Sequence, residues 1–202
     1  MFLTTQYKTV TVPKPPRLAQ EWGHNMTIYD SDPAGNLWRT SLGIHGKNPL
    51  VVVGLNPSVA TNEKSDRTIT RIKEYASWHG FDSFVMHNLS AQRTKEPLLL
   101  SIKQDIELHR QNLKSIQDSL ERDPNPHLLA VWGENIYLRS YLKLALQEIM
   151  AIATSKSATW LHIGPKFTRQ GHPLHPVRGS YQPLYHFNVE DYFYTRVLSP
   201  GC

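Results

Sequence analysis

Two asparagines and a histidine-containing loop stand at positions from which side chains can do chemistry. Asn56 follows a run of three valines in "VVVGLNPS" and precedes Pro57, which stiffens the backbone, while Asn88 ends the apolar segment "FVMHN". His172 and His175 lie in "GHPLHP". An amide offers one acceptor and two donors on a planar group, so it can hold a water molecule or match the edge of a base. Breaking an N-glycosidic bond needs such oriented dipoles more than it needs a strong base, and a histidine can donate to the oxygen that gains negative charge.

Each of these residues also has an ordinary structural interpretation. A Gly-Leu-Asn-Pro sequence often forms a turn, a strand-end asparagine often bonds backbone groups, and a loop histidine is often only a surface residue. Asp66, in "SDRT", is either the N-cap of a helix or a catalytic carboxylate. The joint occurrence of these residues after successive strands favours a functional site.

The elements around these residues predict an α/β fold, a three-layer sandwich with a central, mostly parallel four-stranded sheet and an N-terminal β-hairpin. The predicted strands are "PLVVVGLN", "DSFVMHNLSA", "HLLAVWG" and "ATWLHIG". The predicted helices run from Ser65 or Asp66 to His79 and Gly80, from Pro97 to Leu120, and from about Asn135 to Ala151. Because ligands bind at the carboxyl ends of parallel strands, we expect the candidate residues to share one cavity there.

The chain of 202 residues, 40% of them hydrophobic, is expected to form one domain. Residues 1–25 contain a proline cluster and are predicted to form an extended N-terminal arm. Residues 26–48 are predicted to form the β-hairpin, because "SDPAG" separates two short apolar runs. Residues 49–202 are predicted to supply the α/β core and a C-terminal segment.

The net charge of +5 and a sequence pI of about 9.3 favour an anionic partner such as DNA, although an ordinary basic protein fits equally well. The one cysteine, Cys202, excludes an internal disulfide and argues against a cysteine zinc site. His172 and His175 form H-x-x-H, but the adjacent prolines preclude the helix that usually presents a metal-binding pair. No Walker A or dinucleotide motif is present, so we expect neither a metal nor a cofactor.

The first residues of the sequence have no apolar core typical of a secretion signal, and no stretch approaches the length of a membrane span. We therefore expect a cytoplasmic protein that does not enter a membrane. A monomer is the expected oligomeric state.

The order of these motifs, from about residue 49 to residue 178, resembles that of the uracil-DNA glycosylase superfamily. It also resembles a family of bacterial and phage proteins catalogued as a domain of unknown function, which includes anti-phage DNA glycosylases. The resemblance implies that Asn56 positions the attacking water and that Asn88 reads a flipped pyrimidine. The His-Pro loop would contact the departing base, with His175 the first choice and His172 the second. The serine that usually follows His-Pro in the superfamily is Val177 here.

The resemblance also implies the substrate class. The strict uracil-specific branch carries a tyrosine after the proline of the first motif, whereas this chain has Ser58, which leaves room for a group on C5 of the base. Leu55 and Ser58 are expected to line the base pocket with Asn88. Glucosylated hydroxymethylcytosine in phage DNA is one base that fits this opening, and anti-phage defence is the corresponding role.

The expected enzyme is a monofunctional, metal-free DNA glycosylase that leaves an abasic site, since no lysine is clearly placed for a Schiff base. Lys64 and Lys166 keep strand cleavage through a Schiff base open as an alternative. The residues expected to bind DNA are Arg93, Lys166, Arg169 and Arg178. Two alternatives stay open: a nucleic-acid-binding module without turnover, and a hydrolase of free nucleosides or nucleotides.

Overall fold

The computed structural model describes residues 26–34, 37–178 and 181–199, so the predicted arm at residues 1–25 lies outside the described residues. The strands are β1 (Ile28–Ser31), β2 (Arg39–Ile44), β3 (Pro49–Gly54), β4 (Ser83–Asn88), β5 (His127–Ala130), β6 (Thr159–Ile163) and β7 (Leu184–His186). The α-helices are α1 (Arg67–Trp78), α2 (Ile106–Glu121), α3 (Ser140–Ser155) and α4 (Val189–Tyr192). Short 3₁₀ helices form at Pro97–Leu99 and Gly133–Tyr137, and a π-helical segment follows α4 at Phe193–Leu198.

The strands form one sheet in the order β1-β2-β4-β3-β5-β6-β7. The four central strands, β4, β3, β5 and β6, are parallel and correspond to the four strands predicted from the sequence. The predicted strand number is nevertheless wrong, because the sheet has seven strands. The pair β1 and β2, antiparallel as expected of a hairpin, joins the sheet through β4, and β7 runs back along β6. Both additions cover an edge that would otherwise expose unpaired backbone groups.

Helices flank the sheet on both faces because β3 is apolar on both of its sides. Val51 and Val53 pack into one core, which also contains buried residues of α2 and α3. Leu50 and Val52 point the other way, into a core that includes buried residues of α1. A strand covered on both faces has no polar alternation, which explains the uninterrupted apolar run.

The register of the parallel strands aligns their carboxyl ends. Gly54 at the end of β3 pairs with Asn88 at the end of β4, and the backbone N–H of Val131, just past β5, donates to Val53 at 2.9 Å. Gly133 then takes a φ of 70°, a left-handed conformation that glycine adopts without steric cost. The chain therefore leaves β3, β4 and β5 at one edge of the sheet.

Helix α1 begins as the sequence predicts. Asp66 is its N-cap, with Oδ1 accepting from the N–H of Ile69 at 2.9 Å, and the helix ends before Gly80, which has a φ of 80°. The capping interpretation of Asp66 is thereby confirmed.

The next two helices begin later than predicted. Helix α2 starts at Ile106, and Asp105 is its N-cap. The preceding residues stay outside the helix because the guanidinium of Arg139 donates to the carbonyls of Leu98 and Leu100, at 2.7 and 2.8 Å. Ile102, which fits the helical period, is 85% exposed in the intervening loop. Helix α3 starts at Ser140, since the residues from Gly133 to Tyr137 form the tighter 3₁₀ turn.

A fully buried histidine on β4 ties the sheet to α2. His87 donates from Nδ1 to the carbonyl of Thr40 at 2.8 Å, and Ser119 Oγ lies 2.9 Å from Nε2. Burial is the main reason that the pKa of His87 falls from 6.5 to about 4. The ring is therefore neutral in the folded protein over a range in which the unfolded chain binds a proton.

This difference predicts a loss of stability in acid. Between pH 6.5 and 4 the unfolded state takes up more protons than the native state, so stability falls as the pH falls, by about 3 kcal/mol for His87 alone. Thermal unfolding from pH 7 to 4 should show this decline, and His87→Gln should flatten it. His45→Gln, at an exposed position, is the control; an unchanged pH dependence in the His87 variant would contradict the assignment.

None of the helices in the described part of the chain is both long enough and apolar enough to cross a membrane.

Candidate active site

The edge where β3, β4 and β5 end holds a cavity of about 270 Å³. Most of the residues predicted to form the site line this cavity: Leu55, Asn56, Ser58, Asp66, Asn88 and His175. They come from four separate stretches of the chain, and the parallel register brings them together. The cavity is comparable to the smaller ligand sites of proteins and has room for a pyrimidine ring.

Asn56 has its amide held in one orientation. Nδ2 donates to the carbonyl oxygens of Pro57 at 3.0 Å and Thr94 at 2.9 Å. Both acceptors are backbone oxygens, so the amino group must face them and Oδ1 must face away. An acceptor fixed in this manner at the cavity wall is suited to orient a water molecule.

Asn88 carries the most informative feature of the cavity. Its side chain is buried, with 1% of the residue exposed, and neither Nδ2 nor Oδ1 has a hydrogen-bond partner within the protein. Its backbone is well held, since Asn112 donates to its carbonyl at 2.8 Å. An unpaired buried polar group costs about 1–3 kcal/mol, which a ligand with matching donor and acceptor atoms would recover.

Gly54 leaves room for the Asn88 amide, which explains why a glycine follows the three valines of β3. A Cβ built on Gly54 would lie 2.8 Å from Asn88 Oδ1 and 2.5 Å from Met86 Cε. The end of Met86 is flexible and can move, but the amide of Asn88 would be displaced in the cavity.

We therefore expect Gly54→Ala to weaken ligand binding about tenfold, because a shift of the Asn88 amide breaks its hydrogen-bond geometry. The added methyl group also overpacks the site, which should lower the free energy of unfolding by about 1–3 kcal/mol. Gly80→Ala is the matched control: it strains a left-handed residue at the end of α1, where a Cβ meets nothing within 4 Å. Affinity and thermal unfolding measured together separate the two effects. Equal affinities of the two variants would refute the role given to Gly54.

His175 is held at the cavity as a neutral ring. Burial and the nearby Arg178 lower its pKa, and the carboxylate of Asp66 opposes them only in part. The N–H of Val177 donates to Nδ1 at 3.5 Å, which leaves the proton of the neutral ring on Nε2. His175 is thus a hydrogen-bond donor rather than a fixed positive charge.

Asp66 combines its capping role with a place in the cavity wall. The cap uses Oδ1, and among the described residues no hydrogen bond to Oδ2 is present. The two interpretations of Asp66 are therefore compatible, since one oxygen holds α1 and the other is free to meet water or ligand.

The structure does not bring the second-choice histidine into this cavity. His172 does not line the cavity; it is 1% exposed and packs edge-on against Tyr137. Its Nδ1 lies 2.9 Å from the hydroxyl of Tyr192, which also accepts from Trp132 Nε1 at 3.0 Å. His172 therefore links the histidine loop to the C-terminal helix, a contact that its neighbours in sequence do not reveal.

The predicted DNA-binding residues occupy two places. Arg93 lines a larger open cleft of about 620 Å³, the outer cleft, which also contains Tyr29, Glu63 and Asn62. Ser58, Thr94 and Lys95 line both the outer cleft and the inner cavity, so the two adjoin. Lys166, Arg169 and Arg178 are exposed in the loop after β6 and line neither space.

Trp132, Asn135 and Arg39 are among the cavity residues that were missing from the predicted site. Trp132 is buried and also forms part of the wall, as does Asn135. Arg39, the first residue of β2, reaches the cavity because β2 pairs with β4. The Trp-Gly ending of the third strand was a usable signal for Trp132, whereas Arg39 had none.

Within residues 26–34, 37–178 and 181–199, no group of three or more histidine, cysteine, aspartate or glutamate side chains is placed to hold a metal ion. The polar groups of the cavity are mainly amides, hydroxyls and cations. Such groups recognise an organic ligand by hydrogen bonds and charge.

Searches of curated proteins and of solved structures found no match to this chain. One family model matches residues 36–177, which is more than half of the 202 residues and includes β2 to β6 and the predicted site through His175. The chain belongs to the family described as "Protein of unknown function (DUF1643)".

Proposed function

We propose that this protein is a DNA glycosylase that hydrolyses the N-glycosidic bond of a modified pyrimidine and leaves an abasic site. The observation that carries the proposal is the buried amide of Asn88, which has no partner in a cavity that also contains Asn56 and His175. A planar donor and acceptor pair matches the Watson–Crick edge of a pyrimidine flipped out of the helix. The resemblance in motif order to the uracil-DNA glycosylase superfamily supports the same activity.

The proposed reaction assigns one task to each of these side chains. A water held by Asn56 Oδ1 forms a bond to C1′ of the sugar while the bond from C1′ to the base nitrogen breaks. The bonding electron pair leaves with the base, and His175 Nε2–H donates to a base oxygen as its negative charge grows. The proton of the water passes to Asp66 or to solvent, and the base then takes a proton from solvent.

The outer cleft supports the choice of a substituted base. It adjoins the cavity at Ser58, a small side chain, and its walls carry hydroxyl, amide and charged groups that suit a polar substituent. A sugar-bearing C5 group, such as that of glucosylated hydroxymethylcytosine in phage DNA, would extend from the ring into this cleft. Defence against such phages is the role we propose.

The DNA backbone would be held by cations around the opening. The chain carries a net charge of +5, and Arg178, next to the histidine loop, is exposed. Flipping costs a few kcal/mol of stacking, so a side chain must fill the gap left in the helix. Val177, which follows His175-Pro176 in the histidine loop, is the side chain that we propose for this role.

The test is incubation of the protein with phage DNAs that carry different cytosine and thymine modifications, followed by detection of alkali-labile sites. We expect abasic sites to form in at least one modified DNA, and we expect the intact modified base to be released into solution. Binding to these DNAs without any abasic product would instead identify a non-catalytic module. Release of base from free nucleosides alone would identify the third alternative.

A further inference from the structure

We infer that Arg39 makes the cavity a binding site for a pyrimidine anion. We further infer a catalytic role for Arg39, which rests on the proposed function. In that reaction Arg39 stabilises the negative charge of the departing base. Neither the motif order nor the family match assigns a role to this residue.

Arg39 is a residue of the cavity wall with an unused donor. Arg39 is 3% exposed, lines the same cavity as Asn56 and Asn88, and donates from Nη1 to the carbonyl of Ala60 at 2.6 Å. Its Nε has no hydrogen-bond partner within the protein. The carbonyl of Ala60 therefore anchors one end of the guanidinium, and Nε is left for a ligand.

The charge of Arg39 is only partly compensated within the protein, by the carboxylate of Asp66. None of the ion pairs among the described residues includes Arg39, and the nearest basic group, Arg93, donates to the same carbonyl at 3.2 Å. Burial is the main cause, and Arg93 the second, of a pKa lowered to about 10, while Asp66 raises it. The guanidinium still stays charged at neutral pH. A buried cation without an ion-pair partner is costly, so an anionic ligand would be strongly favoured.

The position of the charge suits the leaving base. When the glycosidic bond breaks, its electron pair moves onto the ring, and the negative charge is shared with the ring oxygens. Asn88 reads the ring and His175 is neutral, so Arg39 is the buried cation of the cavity wall, whereas Lys95 is exposed. A fixed cation that meets charge only as it develops lowers the barrier without tightening the binding of the neutral substrate.

The first arm of the test needs no turnover. Calorimetry at pH 8 would compare 5-nitrouracil, which is largely anionic at that pH, with uracil, which is neutral. We expect the wild type to prefer 5-nitrouracil about tenfold or more, Arg39→Gln to remove the preference, and Arg39→Lys to keep part of it. Arg93→Gln is the matched control, since it removes the same charge and a bond to the same carbonyl from outside the cavity. Thermal unfolding confirms that each variant is folded.

The second arm uses DNA that carries deoxyuridine or 5-fluorodeoxyuridine, whose fluorine makes the base a better leaving group. Arg39→Gln should slow release of uracil more than release of 5-fluorouracil, whereas Arg93→Gln should slow both equally. A wild type without preference for 5-nitrouracil, or equal slowing by Arg39→Gln, would overturn the inference. If the anion preference is present but no DNA yields abasic sites, the anion site stands and the proposed function fails.

Discussion

Asn88→Ala is expected to lower kcat/KM for base release about 10²- to 10³-fold, because the substitution removes both hydrogen bonds to the base. The loss should come with little or no loss of stability. In the free protein the amide of Asn88 is buried without a partner, so its removal relieves a cost of about 1–3 kcal/mol. Single-turnover kinetics and thermal unfolding on the same preparations measure both quantities.

Asn112→Ala is the matched control for this prediction. Asn112 is also a fully buried asparagine, but its Nδ2 donates to the carbonyl of Asn88, so its role is structural. We expect this variant to lose about 0.5–1.5 kcal/mol of stability, since it removes a buried hydrogen bond. An Asn88 variant that is destabilised like the Asn112 variant but remains active would contradict the assignment of Asn88.

Asn88→Asp gives a sharper form of the same test. Because no protein group fixes the amide of Asn88, either of its ends can face the ligand, and asparagine alone does not choose between cytosine and uracil. A carboxylate only accepts hydrogen bonds, so it suits the amino group of a cytosine and repels the O4 of a uracil. Competition between the two kinds of modified base should show selectivity for the cytosine type. Equal loss on both types would argue against contact with this edge of the base.

Asn56→Ala is expected to reduce the single-turnover rate about 10²-fold while DNA binding persists, because a misplaced nucleophile costs about that factor. Asn56→Asp should also lose activity. Here Nδ2 donates to two backbone carbonyls, and a carboxylate would face both oxygens with repulsion.

The control for Asn56 is Asn48→Ala. Asn48 is exposed, directly precedes β3 at the opposite end of the strand, and bonds to the carbonyl of Gly80. Its removal should leave the rate of base release unchanged. Full activity of the Asn56 variant would reject the assignment of the water-positioning residue.

Much of the site could be predicted because short sequence patterns next to its residues indicate where those residues lie in the fold. The run from Val51 to Val53 has no polar alternation, which identifies a strand buried on both faces, and the residue after such a strand must lie at the sheet edge. Asp66 before a helical period indicates a cap, and the cap is present. These patterns were enough to predict that Asn56 and Asn88 lie at the same edge of the sheet, where both line the cavity.

The parts that sequence reasoning missed depend on contacts between distant segments. Arg39 enters the cavity only because β2 joins β4, and nothing near it in the sequence announces that pairing. His172 and His175 have the same local pattern, and it is Tyr192, from the C-terminal helix, that holds His172 in the core. Arg139 likewise keeps the residues before Asp105 out of α2 by taking their carbonyls.

A crystal structure of the protein bound to DNA with a 2′-fluorinated, modified deoxycytidine would test the central claim most directly, because the fluorine slows cleavage and leaves the base attached. We predict that the base is flipped into the cavity, with its Watson–Crick edge within about 3.2 Å of both amide atoms of Asn88 and a water on Asn56. DNA bound with the modified base still stacked in the helix, and with Asn88 still unpaired, would contradict the account.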